Sequence, residues 1–284
     1  MDFRFTKMHG CGNDFIVADD RDEDWDFDPQ AIALLCDRHF GIGADGLILV
    51  RRADDASADH RMVYYNADGS SAEICGNGMR VFAKFIADRG LIAGDSVTVQ
   101  TPCGVKAIEV ERDGEGAVLL ARVDMGAPVL EAGMVPTTLG GSPVVDALLH
   151  TEAGDAYLTC VSMGNPHAVM WVDDTDVASV ASLGPLIERH HAFPRGTNVE
   201  FAQVVARDHV RLRVWERGVG ETLACGSGAC ATVVAGALAG RLDRAATVEL
   251  LGGELFVEWT EAGPVMMTGP AEQVFEGSWP IPDE

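Results

Sequence analysis

Basic residues are scarce in this 284-residue chain: 21 lysines and arginines stand against 44 aspartates and glutamates, a formal charge of −23. A field of that sign repels phosphate backbones and anionic headgroups, so neither nucleic-acid nor membrane-surface binding is expected. A secretory leader is missing too. The opening MDFRFTKMHGCGNDF mixes charges with apolar residues and has no hydrophobic stretch followed by a small-residue cleavage site, so the expected location is the cytoplasm. Paired cysteines are absent: none of the seven forms a CxxC, and no second Cys/His pair accompanies Cys225 and Cys230 at zinc-site spacing. Free thiols are therefore expected, with no disulfide framework and no metal. The one long uncharged run, Thr222 to Gly240, is mostly Ala, Gly, Ser, Thr and Cys with two Leu, which reads as a helix buried in a domain and not as a membrane span. With 47 % apolar and 23 % charged residues the chain is globular, and its length fits one large or two ordinary domains.

What is present is a repeat. GCGNDFIV around Asn13 has a counterpart in SMGNPHAVM around Asn165, at an offset of 152 residues. Arg38-His39 answers Arg189-His190 at 151, and VYYNADGSSAEICGNG aligns with RVWERGVGETLACGSG at 150, pairing Asn66 with Glu216 and Cys75 with Cys225. VTVQTPCG and VELLGG follow at about the same shift. Matches in one order near one offset indicate two homologous halves.

Each half opens on short alternating strands. In the first, Asp28 and Pro29 read as the cap and first turn of a helix with Ile32, Leu35, Cys36, His39 and Phe40 on one face, stopped by Gly41. The matching stretch Asp176 to His190 contains Gly184-Pro185, which is expected to break it. A second helix is expected over about 77–88 and 227–239, the latter apolar nearly all round and hence central. Strand-like runs at 47–51, 62–65, 96–100, 118–123, 210–215 and 255–259 surround these helices. The fold class expected is α+β, two pseudo-symmetric halves, each a mixed sheet curled about a central helix. The halves are read as 1–120 plus 271–284 and as 121–270.

Cys75 and Cys225 each precede Gly-Xaa-Gly and a helix. Glycine lets a ligand approach the backbone, the helix's first N–H groups suit an anion, and the positive helix end is expected to lower the thiol pKa. Inverting a carbon centre needs one group to remove a proton from one face and another to return it to the opposite face, and two equivalent cysteines suit that task. The weakly acidic α-proton of an amino acid further requires donors for the charge developing on the carboxylate, for which the N–H groups of Gly76, Asn77, Gly226 and Ser227 are candidates. Cys11, Cys36, Cys103, Cys160 and Cys230 lack this context and are read as structural.

These segments carry a resemblance. NADGSSAEICGNGMR at Asn66 to Arg80, KMHGCGNDF at Lys7 to Phe15, and the later SMGNPH, GTNVEF and WERGVGETLACGSGACA resemble diaminopimelate epimerase over nearly the whole chain. The resemblance implies cofactor-independent interconversion of LL- and meso-2,6-diaminopimelate in lysine and peptidoglycan-precursor biosynthesis, with no metal. It implies barrel-like halves with the active site in the cleft between them, Cys75 and Cys225 as the proton-transfer groups, and Asn13, Asn66, Asn165 and Asn198 on the substrate's polar ends. Glu216 and Arg217 would hold ammonium and carboxylate groups, and Gly76-Asn77 with Gly226-Ser227 would seat the reacting carboxylate. His167 and Glu216 would tune the thiols, and the enzyme would be a homodimer with Phe275 at the contact. Two departures stand out: Gly46 where some members have glutamine, and Phe275 where many have tyrosine.

Two other readings remain open at this level. One is a proline or hydroxyproline racemase-like enzyme with the same thiol pair, for whose short substrate Arg217 and Asn198 would lack a purpose. The other is a thiol-based redox or ligand-binding protein in which Cys75 and Cys225 form a switch disulfide.

Overall fold

The computed structural model describes residues 2–71 and 75–281. The chain divides into two compact units, one built from 1–123 and 269–284 and the other from 124–268. In the first unit the strands are β1 (Asp2–Gly10), β2 (Asn13–Asp19), β3 (Gly46–Arg52), β4 (His60–Asn66), β5 (Ser96–Thr101), β6 (Gly104–Arg112), β7 (Val118–Asp124) and, from the far end of the chain, β17 (Glu272–Pro280). The second unit holds β8 (Ala147–Thr151), β9 (Gly154–Ser162), β10 (Pro166–Trp171), β11 (Asn198–Ala206), β12 (His209–Glu216), β13 (Gly220–Thr222), β14 (Ala245–Leu250), β15 (Gly253–Trp259) and β16 (Val265–Pro270).

The repeat seen in the sequence recurs in the strand pairing. In the first unit β1–β2 is antiparallel, β2–β3 parallel, β3–β4 antiparallel, β4–β5 parallel, and β5–β6 and β6–β7 antiparallel. In the second the same alternation runs through β9–β10, β10–β11, β11–β12, β12–β14, β14–β15 and β15–β16. Each parallel pair is joined by a helical crossover, as parallel strands require. These are α1 (Pro29–Cys36) and α2 (Gly76–Asp88) in one unit, and α3 (Val180–Glu188) and α4 (Gly226–Leu238) in the other. The edge position that β8 fills beside β9 is filled beside β1 by β17, antiparallel from Asp2↔Pro280 to His9↔Glu272. Both units are sheet-dominated α+β folds.

The long helix of each unit sits against its own sheet. Helix α2 touches β1, β2, β3 and β6 and buries Met79, Val81, Phe82, Phe85 and Ile86, while α4 touches β9, β10, β11, β14 and β15. Contact with strands from both ends of the pairing order requires the sheet to curl around the helix. Each fully buried Phe or Ile contributes about 1.5–3 kcal/mol to that packing. Helix α4 has only 13 residues, and no helix among the described residues is long and apolar enough to cross a membrane.

Two sequence expectations need correction. Helix α1 has the foreseen cap, with Asp28 accepting the Ala31 N–H at 2.7 Å, but it stops at Cys36 and not at Gly41. The Asp37 carboxylate accepts the N–H groups of both His39 and Phe40 at 2.7 Å, offering the backbone a turn in place of another helical step, and Phe40 is 80 % exposed instead of packed. Helix α3 in turn is continuous through Gly184-Pro185. Gly184 is there for packing: a Cβ at this position would lie 2.6 Å from Cγ of Trp215, whose indole N–H donates to Glu188 at 2.7 Å. Gly184→Ala is therefore expected to lower stability by about 1–3 kcal/mol through overpacking, seen as a lower urea midpoint with an altered Trp emission. An unchanged midpoint would show that Trp215 moves aside freely.

Candidate active site

Each long helix begins with a cysteine whose sulfur caps it. Cys75 and Cys225 are extended, with φ of −133° and −125°, and each Sγ accepts the N–H of the residue three further on, Gly78 or Gly228, at 3.4 Å. The next N–H, of Met79 or Ala229, bonds the cysteine's own carbonyl. The N–H groups of Gly76 and Asn77, and of Gly226 and Ser227, precede these bonds at the helix N-terminus, where the partial charge is positive. Each turn thus places a sulfur beside a helix end of the polarity that suits an anion.

In the first unit the sulfur is tied to an amide. Cys75 Sγ lies 3.7 Å from Asn13 Oδ1, which also accepts from Asn77 Nδ2 at 3.1 Å. The other end of Asn13 donates to Asp45 at 2.8 Å, and Arg38 bridges Asp45 and Asp14. Burial would raise the Asp14 carboxyl, but hydrogen bonds from Arg38 and Lys7 hold it well below the usual range. Asn66 is partly exposed at the end of β4, its amide donating to Ser70 Oγ at 2.9 Å within its own turn. Gly46 lies opposite Asn66, and a Cβ there would come 2.5 Å from the Tyr65 carbonyl and 2.7 Å from the Tyr64 ring, so these tyrosines occupy the space a glutamine would need.

In the second unit the sulfur ends a chain of side chains. Ser227 Oγ is 3.5 Å from Cys225 Sγ and accepts from Asn165 Nδ2 at 3.3 Å. Asn165 Oδ1 is 2.9 Å from His167 Nε2, and His167 Nδ1 is 2.6 Å from Glu200 Oε1. His167 and Glu200 are both fully buried. Glu216, partly exposed at the end of β12, accepts from Thr222 at 2.6 Å. Asn198 joins two backbone segments, donating to the Pro166 carbonyl and accepting the Arg217 N–H, both at 2.9 Å. Arg217 is exposed, with one guanidinium N–H on the Arg195 carbonyl.

The electrostatics of Cys225 overturn one expectation. Its thiol is pushed well above the ordinary range, first by burial and then by the nearby carboxylates of Glu216 and Glu200, against which the bonds from Ser227 and Gly228 are the smaller effect. The helix end does not make it acidic. Glu216 is itself raised, first by burial. Sequence reasoning missed Glu200, Thr222 and Asp45; the available signal for Glu200 was a lone acid in the apolar strand NVEFA. Of the remaining cysteines, Cys103 is exposed and the other four are buried. Among the described residues, no three His, Cys, Asp or Glu side chains are grouped to hold a metal ion. Phe275, on β17, is 46 % exposed and meets Phe5 edge-on at 6.0 Å.

Solved structures with this architecture include a probable proline racemase from Agrobacterium radiobacter K84 (TM-score 0.72, 15 % identity, 99 % of this chain and 93 % of that one). A phenazine biosynthesis protein of the PhzF family from Bacillus anthracis is similar (TM-score 0.70, 15 % identity, 99 % and 100 %). At such identity they define the fold, that of the racemase and PhzF-like proteins. The diaminopimelate epimerase family model matches residues 5–131 and 159–274. Diaminopimelate epimerases from Thioalkalivibrio sulfidiphilus and Pelotomaculum thermopropionicum are each 49 % identical, over 98 % and 97 % of this chain and 99 % and 98 % of theirs. The chain belongs to the diaminopimelate epimerase family.

Because the Cys225 pKa is raised, thiolate appears there only on the alkaline side of an ordinary thiol. The pH profile of Cys225 alkylation by iodoacetamide, followed by peptide mass spectrometry, is expected to have its midpoint above that of a free cysteine. Glu216→Gln removes one of the opposing charges and is expected to move the midpoint down. A wild-type midpoint near neutrality would contradict the assignment.

Proposed function

We propose that this chain interconverts LL- and meso-2,6-diaminopimelate by moving the α-proton between the sulfurs of Cys75 and Cys225, without a cofactor. The observation carrying this reading is the pair of equivalent cysteine-capped glycine turns in a chain of this family. Relatives at 49 % identity over nearly their full length bear that enzyme's name. The same match supports a place in lysine and peptidoglycan-precursor biosynthesis.

In the proposed reaction one sulfur, as thiolate, takes the α-proton from one face of the stereocentre and becomes a thiol. The other, as thiol, releases its proton to the opposite face and becomes a thiolate. No proton is gained or lost overall, and the two sulfurs exchange protonation states. The raised thiol of Cys225 suits it to the proton-donor role. Negative charge spreading from the α-carbon onto the carboxylate oxygens is met by the N–H groups of Gly76, Asn77, Gly226 and Ser227, preorganised donors of the kind that contribute most to such steps. Diaminopimelate is a double zwitterion, so neutral amides with one anion and one cation match it. Asn13, Asn66, Asn165 and Asn198 serve its polar ends, Glu216 an ammonium group, and Arg217 a carboxylate in bidentate fashion. Glu216 and His167 tune the thiols. Each half of the repeat, 1–120 with 271–284 and 121–270, contributes one sulfur. We further propose a cytoplasmic homodimer with Phe275 at its contact, consistent with an aromatic side chain left exposed on β17.

Incubation of the reduced protein with LL-diaminopimelate in heavy water is expected to place deuterium at the α-carbon, read by NMR. Cys75→Ala and Cys225→Ala should each lower epimerisation by about 10²–10⁴-fold or more, the range that a positioned acid/base group supplies. Near-full turnover in either variant rejects the two-sulfur assignment, and binding governed by reductant without α-exchange would favour the disulfide-switch reading instead. For the dimer, Phe275→Asp is expected to shift sedimentation toward the monomer; an unchanged coefficient places the contact elsewhere.

A further inference from the structure

The two units differ at one buried pair. In the parallel ladders, His167 lies in register with Asn198 on β11 as Phe15 lies in register with Gly46 on β3, and two residues further along those strands stand Glu200 and Ile48. The first unit thus fills with Phe15 and Ile48, both fully buried, the positions where the second holds His167 and Glu200. An apolar pair at this place suffices for folding, and a buried ionisable pair must offset a desolvation cost that Phe and Ile avoid. Gly228 lets Glu200 reach its place: a Cβ there would stand 2.9 Å from Glu200 Oε1, whereas at Gly78 its nearest neighbours would be the flexible side-chain tips of Met62 and Ile48, at 3.2 and 3.3 Å.

We infer that Glu200 is a positioning residue for the proposed proton transfer, one that holds His167 in its Nε2–H tautomer and through Asn165 and Ser227 aims a hydroxyl at the Cys225 sulfur. The inference rests on the functional reading above. Its geometric basis is the direction of the hydrogen bonds. Asn165 donates to Ser227 through Nδ2, so its Oδ1 faces His167 and Nε2 must supply the proton. Glu200 then meets the ring's other nitrogen at 2.6 Å, and burial raises this carboxyl above the usual range, which favours the protonated form that can donate to Nδ1. Ser227, accepting from Asn165, keeps its O–H for the sulfur, donating to a thiolate and turning away to accept from a thiol. The hydroxyl can follow the sulfur through both halves of the cycle. The other ionisable groups that sense Glu200 are Glu216 and the thiols of Cys225 and Cys160, the last pushed up to about 12 by burial.

The test compares Glu200→Gln and Glu200→Leu with the wild-type protein, by ¹⁵N NMR of the histidine ring and by α-deuterium incorporation from LL-diaminopimelate. The glutamine amide N–H can donate to Nδ1, so Glu200→Gln should retain the Nε2–H signature and exchange close to wild type. Glu200→Leu should lose the signature and lower kcat roughly 10- to 100-fold with KM little changed, as when an orienting partner is removed from a metal-bound imidazole. A wild-type ring carrying its proton on Nδ1 overturns the inference. So does a folded leucine variant with unaltered tautomer and rate, or a glutamine variant that keeps the tautomer yet is as slow as the leucine one. If the leucine variant does not fold, the wild-type and glutamine spectra decide. Absence of α-exchange in the wild type would instead defeat the functional reading, leaving the ring spectrum to judge the hydrogen-bond chain alone.

Discussion

The bond from a glycine N–H to a cysteine sulfur at the start of α2 and of α4 is the constraint from which the rest of the site follows. Serine, threonine, aspartate and asparagine are the usual side-chain caps of a helix, and a sulfur is a weaker acceptor. By capping with cysteine, each unit draws the sulfur proposed to move the proton against the backbone donors of the first turn. The glycine three residues on is fixed by the same geometry. At Gly228 a Cβ would crowd Glu200 Oε1 at 2.9 Å and touch the sulfur at 3.4 Å, and at Gly78 it would press on the side-chain tips of Met62 and Ile48.

Duplication supplies the framework, and divergence makes its two copies unlike. The strand pairings repeat without change of sense, yet the asparagine beside each cysteine is turned differently. Asn13 offers its oxygen toward the sulfur, while Asn165 offers its nitrogen to an intervening serine. The surroundings differ accordingly: the polar network behind Asn13 leads to Asp45 and the partly exposed Arg38, and that behind Asn165 leads into a buried imidazole and carboxyl. A two-face reaction needs two groups of the same kind held at different protonation at any instant, and environments this dissimilar provide for that.

Much of this was legible in the sequence because a repeat compares a chain with itself. The match of Cys75 with Cys225 and of Asn13 with Asn165 identified the two helix starts, and both form as the glycine spacing requires. What escaped were effects that depend on neighbours distant in the chain. Gly184-Pro185 reads as a break until the Trp215 ring is seen lying against the glycine. The Gly41 stop looked sufficient because nothing local shows that Asp37 will capture two backbone N–H groups first. The direction of the Cys225 shift was hidden for the same reason: the helix end is visible in the sequence, whereas Glu200 and the depth of burial belong to the folded unit. The bonds of the Asn198 amide to the backbone of Pro166 and Arg217, which help set where that arginine stands, likewise have no local signature.

The placement of β17 bears on how the molecule is made. The second unit is continuous in the chain, so all its strands are synthesised before the outer neighbour of β1. Until then β1 has an open edge, with Phe5 lacking the cover of Gly277 and Phe275. The lobe begun first is therefore closed last, and truncation at the carboxyl end damages the amino-terminal lobe.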